Sequence, residues 1–265
     1  MRLSISGNAV NVTTGGRAHA TGNPFAVLLH GAGLDHSAWA LQSRWLAFHG
    51  WNVLAVDLPG HGGSEGPPLR TIHALAQWLL TLLDEREVDS AVIIGHSMGA
   101  LIALEVAAVA PARATRLVLI GAAAVMPVHT DLLAAAAAGD PAAIHMMNLW
   151  GYGFRAGLGA NKAAGVWMVG IGERLLEKAA PGVLYADLVA CNAYANGLAA
   201  AAGTVAPTLV ICGERDQMTP LKNGRALAAT LPHATLVTVQ GAGHMLPTEC
   251  PDDVLNAIAR HLKAF

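Results

Sequence analysis

The segment "GHSMG" at residues 95–99 places Ser97 between two glycines, directly after the aliphatic run "AVIIG". A Gly-x-Ser-x-Gly pattern between a strand and a helix holds the serine on a sharp, strained turn with its hydroxyl projected outward. The two glycines let the strand and helix backbones pass closely, where a Cβ would clash. The helix N-terminus favours negative charge that develops beside it. We therefore predict that Ser97 is a nucleophile.

A serine hydroxyl is a weak nucleophile unless a base takes its proton, and His244 is the candidate base. The chain has twelve histidines. His244 stands in "QGAGHMLP", after the last predicted strand and before the last predicted helix. Glycines on both sides of Ala242 give this loop the freedom to bring an imidazole over the sheet. Catalytic loops of open α/β sheets gather at the carboxyl edge of the strands.

The base needs a carboxylate that orients it, and the segment "GERDQMTP" at 213–220 offers Glu214 and Asp216. We favour Asp216, because a short side chain at the tip of the turn can reach an imidazole. Glu214 is equally compatible with a solvated loop charge. The order of Ser97, Asp216 and His244 along the chain is one of the known orders of a catalytic triad.

Acyl transfer also needs two fixed N–H donors for the oxyanion of the tetrahedral intermediate. The backbone amide of Met98, which follows the serine, is the first expected donor. The second is expected in the loop "HGAG" at 30–33, where glycines permit unusual backbone angles. We predict the amide of Ala32, with Gly33 as the second choice.

These residues need a sheet that gathers the ends of several strands at one edge. Nearly continuous apolar runs, typical of strands buried on both faces, occur at 26–31, 52–57, 91–96, 116–121, 208–213 and 235–241. Helical spacing occurs between them, at 69–87, 97–110, 221–230 and 252–263. The first ~25 residues alternate apolar and polar, like an antiparallel edge hairpin that includes "LSISGNAVNV" and "RAHAT". The prediction is an α/β fold: a mostly parallel, twisted sheet of about eight strands with helices on both faces.

Residues 122–205 interrupt this alternation and contain only helical patterns, such as "GDPAAIHMMNLW". We call them the inserted segment and predict a helical cap that follows the sixth strand, with a core formed by 1–121 and 206–265. The inserted segment is rich in methionine and aromatic residues. Most of these are expected to pack the cap against the core, but Trp150 and Trp167 are candidates for the lining of an apolar substrate pocket.

Composition limits the possible partners. Hydrophobic residues make up 54% of the chain, charged residues 13%, and the net charge is −2 with no basic run. Nucleic acid and anionic membrane surfaces are therefore not expected partners. No apolar run reaches the ~18 residues that a spanning helix needs, and the first residues lack the apolar core of a signal peptide. We expect a cytoplasmic protein; the sequence leaves a homo-oligomer open.

Metals and cofactors are not expected either. The three cysteines are an odd set without close-pair spacing, which disfavours a disulfide framework or a zinc site. In "DLPGHGGS" at 57–64, Asp57 and His61 could suggest a metal or acid–base site. One proline and three glycines in that segment favour a structural turn instead.

Taken together, the motifs resemble those of the α/β-hydrolase-fold superfamily, and in particular its capped, bacterial esterase-like serine hydrolases. The resemblance rests on "HGAG" (30–33), "DLPGHGGS" (57–64), "GHSMG" (95–99), "GERDQMTP" (213–220) and "GAGHMLP" (241–247). It implies Ser97 as nucleophile, Asp216 as acid, His244 as base and the inserted segment as a cap. The motifs are specific for fold and triad but are poor guides to the substrate.

The expected function is hydrolysis of a small to medium, largely apolar ester or thioester, with a small-molecule substrate and an acyl-serine intermediate. One alternative is a carbon–carbon bond hydrolase of meta-cleavage-type products, which would use the same triad. The other is a hydrolase-like ligand-binding protein without turnover. An intact triad argues against a pure binding protein, since binding does not require all three groups.

Overall fold

The computed structural model describes residues 1–159 and 166–263. Its centre is one eight-stranded sheet with the strand order β1-β2-β4-β3-β5-β6-β7-β8. The strands are β1 Arg2–Ile5, β2 Asn8–Thr13, β3 Phe25–Leu29, β4 Asn52–Val56, β5 Ala91–His96, β6 Ala114–Ile120, β7 Thr208–Gly213 and β8 Ala234–Val239. The sheet confirms the predicted α/β fold, and each of the six aliphatic runs forms a strand.

Helices cover both faces of this sheet. Short 3-10 helices occupy His36–Trp39 and Pro111–Arg113. The α-helices are α1 Ala40–Phe48, α2 Ile72–Glu85, α3 Met98–Val109, α4 Thr130–Ala138, α5 Ala142–Gly151, α6 Phe154–Gly157, α7 Met168–Glu177, α8 Val183–Ala193, α9 Gly197–Gly203, α10 Leu221–Thr230, α11 Leu246–Glu249 and α12 Pro251–Lys263. None of the described helices combines the length and the apolarity needed to cross a membrane.

Strands β3 to β8 pair in parallel, and the side chains of β3, β4, β5 and β7 are almost all buried on both faces, whereas most of those of the edge strand β8 are exposed or half-buried. In β3, Val27 and Leu29 belong to the apolar cluster on one face, whereas Ala26 and Leu28 belong to the cluster on the other. Successive side chains of a strand point to opposite faces. Both faces of β3 are therefore covered, which explains why its sequence is continuously apolar instead of alternating.

The N-terminal hairpin is confirmed in part. Strands β1 and β2 pair antiparallel through a two-residue turn in which Ser6 and Gly7 both have positive φ, 49° and 82°. Strand β2 then pairs antiparallel with β4 and so joins the edge of the sheet. The segment "RAHAT" at 17–21 was expected to belong to this hairpin, but it forms no strand.

Helix α1 was not predicted, because its burial pattern contradicts its hydropathy pattern. Gln42 and Ser43 are buried, whereas Leu41 and Phe48 are half exposed. The buried Gln42 side chain donates to the carbonyl of Pro247 at 2.9 Å, so its nitrogen is satisfied by a distant segment, whereas its Oε1 has no partner among the described residues. No apolar stripe of helical period marks this segment in the sequence.

Helices α4 to α9 all follow β6 and precede β7. Helix α4 packs on α5 and α8, and α5 packs on α7, whereas α9 packs on α3 beside the sheet. The division into a core and a cap at residues 122 and 205 stays a prediction, and residues 160–165 of the inserted segment lie outside the described residues.

The turn after β4 is organised by a buried carboxylate. The Oδ1 atom of Asp57 accepts from the backbone N–H of His36 and from its Nδ1, both at 2.7 Å. The Oδ2 atom accepts from Asn11 at 2.8 Å and from the amide of Gly63 at 2.9 Å. Burial alone would raise the pKa of Asp57, but these hydrogen bonds, first that of His36, hold it well below its usual range. The bond to Asp57 also raises the pKa of His36.

Donor atoms of Asp35, His36 and Asp57 lie within 4.8 Å of one another, close enough in principle to hold a cation. Both oxygens of Asp57 already accept two hydrogen bonds each, however, and Asp35 accepts from the backbone N–H of Ser37 at 2.8 Å. These carboxylates therefore have hydrogen-bond donors from nearby protein groups, and we treat the three residues as part of the structure of the turn.

We expect Asp57→Asn to lower the free energy of unfolding at pH 7 by about 3 kcal/mol, because four donors lose a buried anionic acceptor. A depressed native pKa stabilises the fold above the unfolded pKa of about 4, and this contribution disappears as the pH falls through the native pKa. The difference from wild type in urea unfolding should therefore be smaller at pH 3 than at pH 7. Asp89→Asn, at an exposed carboxylate, should change stability by less than about 0.5 kcal/mol at both pH values.

Candidate active site

The turn between β5 and α3 has the strained geometry that its sequence predicts. Ser97 has φ 54° and ψ −118°, outside the regions that non-glycine residues favour. Its backbone N–H donates to the carbonyl of Ile120 at 2.9 Å, which anchors the turn to the end of β6. A Cβ built on Gly95 would lie 2.1 Å from the carbonyl oxygen of Gly99. A Cβ on Gly99 would lie 2.2 Å from the carbonyl oxygen of Leu29. Both positions therefore require glycine.

His244 and Asp216 form a buried hydrogen-bonded pair, with His244 Nδ1 2.8 Å from Asp216 Oδ2. Asp216 also accepts from the amides of Met218 and Thr219, at 2.9 and 2.8 Å, and from the Thr219 hydroxyl at 2.7 Å. Burial alone would raise the pKa of Asp216, but His244 and these donors lower it. Glu214, the other candidate, instead accepts from the amide of Gly241 at 3.0 Å. The structure thus places Asp216, and not Glu214, on the imidazole.

Ser97 and His244 line the same cavity, whose volume is about 410 Å³. The hydroxyl of Ser97 makes no hydrogen bond within the described residues, as is common in sites without substrate. Gly31, Gly121 and His96 lie close to Ser97 or His244. A Cβ on Gly31 would lie 3.3 Å from Cβ of Ser97, and one on Gly121 would lie 3.1 Å from the ring of His244. Ring nitrogen Nε2 of His96 lies 2.9 Å from the carbonyl oxygen of His244.

His96 is neutral and packs against the ring of His244. Burial, and then the neighbouring His244, lower the pKa of His96 to about 3. Its ring is tilted against that of His244, with 4.9 Å between the centroids. Because a carbonyl oxygen can only accept, Nε2 of His96 carries the hydrogen and donates it to the His244 backbone.

The predicted oxyanion donors, the amides of Ala32 and Met98, come from two different segments of the chain. Met98 begins α3, and Ala32 lines the cavity from the loop after β3. Neither amide makes a hydrogen bond within the described residues. The amide of Gly33, the second choice, donates instead to Oδ2 of Asp187 at 2.8 Å. Gly33 is therefore engaged, and Ala32 stays the candidate donor.

The cavity wall is mostly apolar. Its lining is Ala32, Ser97, Met126, Pro127, Val128, His129, Leu132, Met147, Trp150, Leu188, Cys191, Gln217, Met218, Thr219 and His244. Lysine, arginine, aspartate and glutamate are absent from this set of described residues. His129 lies edge-on to Trp150, with 5.6 Å between the ring centroids. Sequence analysis missed the stretch from Met126 to His129; the rule that ligand loops follow the carboxyl ends of strands could have found it after β6.

The two tryptophans are placed differently. Trp150 lines the cavity, as expected for a pocket residue. Trp167 does not line the cavity, and 64% of its surface is exposed. Its ring packs directly on Gly170, so that a Cβ added to Gly170 would lie only 2.2 Å from the ring. Trp167 precedes α7 and covers a glycine of its own helix. This corrects the expectation that it lines the pocket, and we leave it out of the candidate binding site.

The loop that carries His244 is bound to the inserted segment. The carbonyl of Gly151 accepts from the amides of His244 and Met245, at 2.8 and 2.9 Å. The buried carboxylate of Glu249 accepts from the amides of Gly153 and Gly243, at 3.0 and 3.2 Å. Burial raises the pKa of Glu249. The position of the candidate base is therefore fixed in part by residues 151–153, between α5 and α6.

Comparison with known proteins identifies the family and supports the fold. The model of the Alpha/beta hydrolase family matches residues 26–257. A pimeloyl-[acyl-carrier protein] methyl ester esterase of Aromatoleum aromaticum is 32% identical, over 87% of this chain and 94% of that protein. A dihydrolipoyllysine-residue acetyltransferase component of the acetoin cleaving system of Pseudomonas putida is 31% identical over 86% of this chain, which spans only 60% of that protein. The enol-lactonase of Burkholderia xenovorans superimposes with a TM-score of 0.85 at 25% identity, over 99% of each chain.

The chain belongs to the alpha/beta hydrolase family. This confirms the family resemblance drawn from the five motifs, the predicted fold class and the expected enzyme class, a hydrolase. The roles of the individual site residues and the division into core and cap stay predictions.

Gly99→Ala tests the close approach of the two backbones. Because a Cβ at this position meets main-chain atoms that cannot move aside, we expect a loss of about 4 kcal/mol or more in urea unfolding, or a failure to fold. Gly203→Ala is the control, since its Cβ has open space at the end of α9 and alanine favours a helix. Equal stability of Gly99→Ala and wild type would contradict this account of the turn.

Proposed function

We propose that this protein is a serine hydrolase that cleaves a small to medium, largely apolar ester or thioester through an acyl-serine intermediate. Ser97 is the nucleophile, His244 the general base and Asp216 the group that orients the base. The amides of Ala32 and Met98 form the oxyanion hole. The proposal rests on one observation. Ser97 and His244 line the same cavity, and Nδ1 of His244 lies 2.8 Å from Oδ2 of the buried Asp216.

The hydrogen bonds of the pair set the chemistry of the imidazole. Asp216 accepts from Nδ1 of His244, which leaves Nε2 without a hydrogen and able to take the proton of Ser97. The serine oxygen attacks the substrate carbonyl, and the oxyanion that forms is bound by the two backbone amides. When the intermediate collapses, His244 gives its proton to the departing alcohol or thiol. Water then attacks the acyl-serine with His244 again as base, which releases the acid and restores Ser97.

The cavity supports an apolar acyl group as the substrate portion bound near Ser97. Its wall is formed chiefly by methionine, leucine, valine and Trp150, with few polar groups to fix orientation. The name of the Aromatoleum relative, an esterase for a methyl ester, supports ester cleavage as the reaction class. The reactions of whole relatives that are longer than this chain do not transfer directly, since it matches only part of their length.

The charge of the lining favours this proposal over carbon–carbon hydrolysis of meta-cleavage-type products. Those products carry a carboxylate, and a buried carboxylate needs a cationic or strongly donating partner. The lining contains neither lysine nor arginine among the described residues.

We further propose that the inserted segment, residues 122–205, acts as a cap over the cavity, since nine of the fifteen lining residues belong to it: Met126, Pro127, Val128, His129, Leu132, Met147, Trp150, Leu188 and Cys191. The substrate is proposed to be a small molecule. A cytoplasmic location stays an expectation from the sequence.

A fluorophosphonate probe should label the wild-type protein, because a serine activated by His244 attacks phosphorus as it attacks a carbonyl. Ser97→Ala should abolish the label, whereas Ser4→Ala, at an exposed serine of β1, should leave it unchanged. Mass spectrometry of the labelled peptide identifies the site. A folded wild-type protein that stays unlabelled would favour the ligand-binding alternative instead.

Trp150→Ala should change the preference for acyl chain length, because the indole forms part of the cavity wall. Across p-nitrophenyl esters of increasing length, we expect kcat/KM to fall about tenfold for the chains that contact the ring, which corresponds to about 1.4 kcal/mol. Trp167→Ala is the matched control and should stay within twofold of wild type. Equal effects of the two substitutions would show that Trp150 has no special place in binding.

A further inference from the structure

A second histidine–aspartate pair lies buried beside the candidate active site. Nε2 of His61 is 2.8 Å from Oδ2 of Asp187, and each side chain is only 1% exposed. His61 belongs to the turn after β4, and Asp187 belongs to α8 of the inserted segment. The pair therefore joins two parts of the chain that are 126 residues apart.

The contacts of His61 define its protonation. Its Nδ1 lies 3.0 Å from the carbonyl oxygen of Pro59, and its Nε2 faces the Asp187 carboxylate. Both neighbours are acceptors, an arrangement that stabilises a ring with a hydrogen on each nitrogen. Burial alone would lower the pKa of His61, but Asp187 outweighs it and raises the pKa. The neighbouring His30 has its centroid 4.9 Å from that of His61; burial, then His61, lower the pKa of His30 to about 4.

Asp187 has a second contact, with the loop at 31–34 that carries Ala32 and is called the oxyanion loop below. The same Oδ2 atom accepts the backbone N–H of Gly33 at 2.8 Å. Gly33 has φ +69°, a backbone conformation that favours glycine. The two backbone angles of Ala32 alone separate the Gly33 amide from the Ala32 amide, the proposed oxyanion donor. Fixing the first amide therefore restricts the direction of the second.

We propose that Asp187 is a positioning residue, which holds the loop at 31–34 so that the Ala32 N–H faces the carbonyl oxygen of the substrate. This deepens, and rests on, the proposed serine hydrolase function. The remaining oxygen, Oδ1, is buried without a hydrogen-bond partner among the described residues. The buried carboxylate thus depends on the His61 ring and the Gly33 amide, and its geometry leaves those two donors little freedom.

Helix α8 also contributes Leu188 and Cys191 to the cavity wall. One helix of the inserted segment therefore both lines the cavity and restrains the oxyanion loop. The acyl group that packs on α8 and the donor that receives its carbonyl oxygen are kept in a fixed relation, as preorganised electrostatic stabilisation requires.

The test compares Asp187→Leu, which removes the acceptor, with Asp187→Asn, which keeps an oxygen for the Gly33 amide. On a short p-nitrophenyl ester we expect kcat to fall about 10- to 100-fold in the leucine variant and less in the asparagine variant, with KM within about threefold of wild type. Hydrogen–deuterium exchange of the Gly33 amide should be faster in the leucine variant and close to wild type in the asparagine variant.

Glu105→Gln and Glu105→Leu are matched controls for the loss of a buried carboxylate. Glu105 lies on α3 and accepts from the Tyr194 hydroxyl at 2.8 Å and from Asn196 at 3.1 Å. These substitutions should lower stability but leave kcat within about threefold and the exchange of the Gly33 amide unchanged. A general effect of destabilisation would reduce kcat in both sets of variants alike, and that result would overturn the proposal.

Unchanged kcat together with unchanged exchange at Gly33 in a folded Asp187→Leu protein also overturns it. If the leucine variant does not fold, the asparagine variant and the wild type decide: a Gly33 amide that exchanges in wild type as fast as the exposed Gly50 refutes the restraint. If wild type neither hydrolyses esters nor reacts with a fluorophosphonate, the proposed function fails on its own. The exchange comparison then still reports whether Asp187 holds the loop.

Discussion

The backbone of α3 begins so close to the strands beside it that two positions of the turn can hold no side chain. Gly99 packs against the carbonyl of Leu29 in β3, and Gly95 packs against the carbonyl of Gly99. The turn that joins strand and helix at this close approach holds Ser97 in a strained conformation with positive φ. The same constraint places the serine at the start of a helix and at the carboxyl edge of the sheet. The rest of the site is built around that point.

Parallel pairing supplies the other groups. The loops after β3, β5, β7 and β8 leave the sheet at the same edge, and they carry Ala32, Ser97, Asp216 and His244 in turn. The sheet alone does not fix these loops, since each is free over several residues. Hydrogen bonds to the inserted segment restrain two of them. Gly151 accepts from the loop that carries His244, Gly153 donates to Glu249 just after that loop, and Asp187 accepts from the loop at 31–34. The inserted segment is thus hydrogen-bonded to the loop that carries Ala32 and to the loop that carries His244.

Local sequence patterns were sufficient for the strands and for the residues brought together at the sheet edge. Continuous apolar runs identify strands buried on both faces, and glycine spacing identifies the turn at Ser97. Position within the loop distinguished Asp216 from Glu214. Other features depend on contacts between distant segments, which no local pattern carries. The buried Gln42 of α1 is hydrogen-bonded to Pro247, and the buried Asp187 is hydrogen-bonded to His61 and Gly33. These partners are 126 to 205 residues apart in the sequence. Trp167 was assigned to the pocket from residue type alone, and type does not determine which way a side chain faces.

The uncharged wall around Ser97 has different consequences for the substrate and for the product of the proposed ester hydrolysis. A neutral ester enters the cavity without losing an ionic partner in water, and methionine, leucine and Trp150 contact its apolar part. Hydrolysis turns that ligand into an acid that ionises well below neutral pH. Among the described lining residues neither lysine nor arginine is present to accompany the new anion, and an unpaired buried carboxylate is costly. Water is the better solvent for the anion, so under the proposed function the charge that the reaction creates favours release of the product from the cavity.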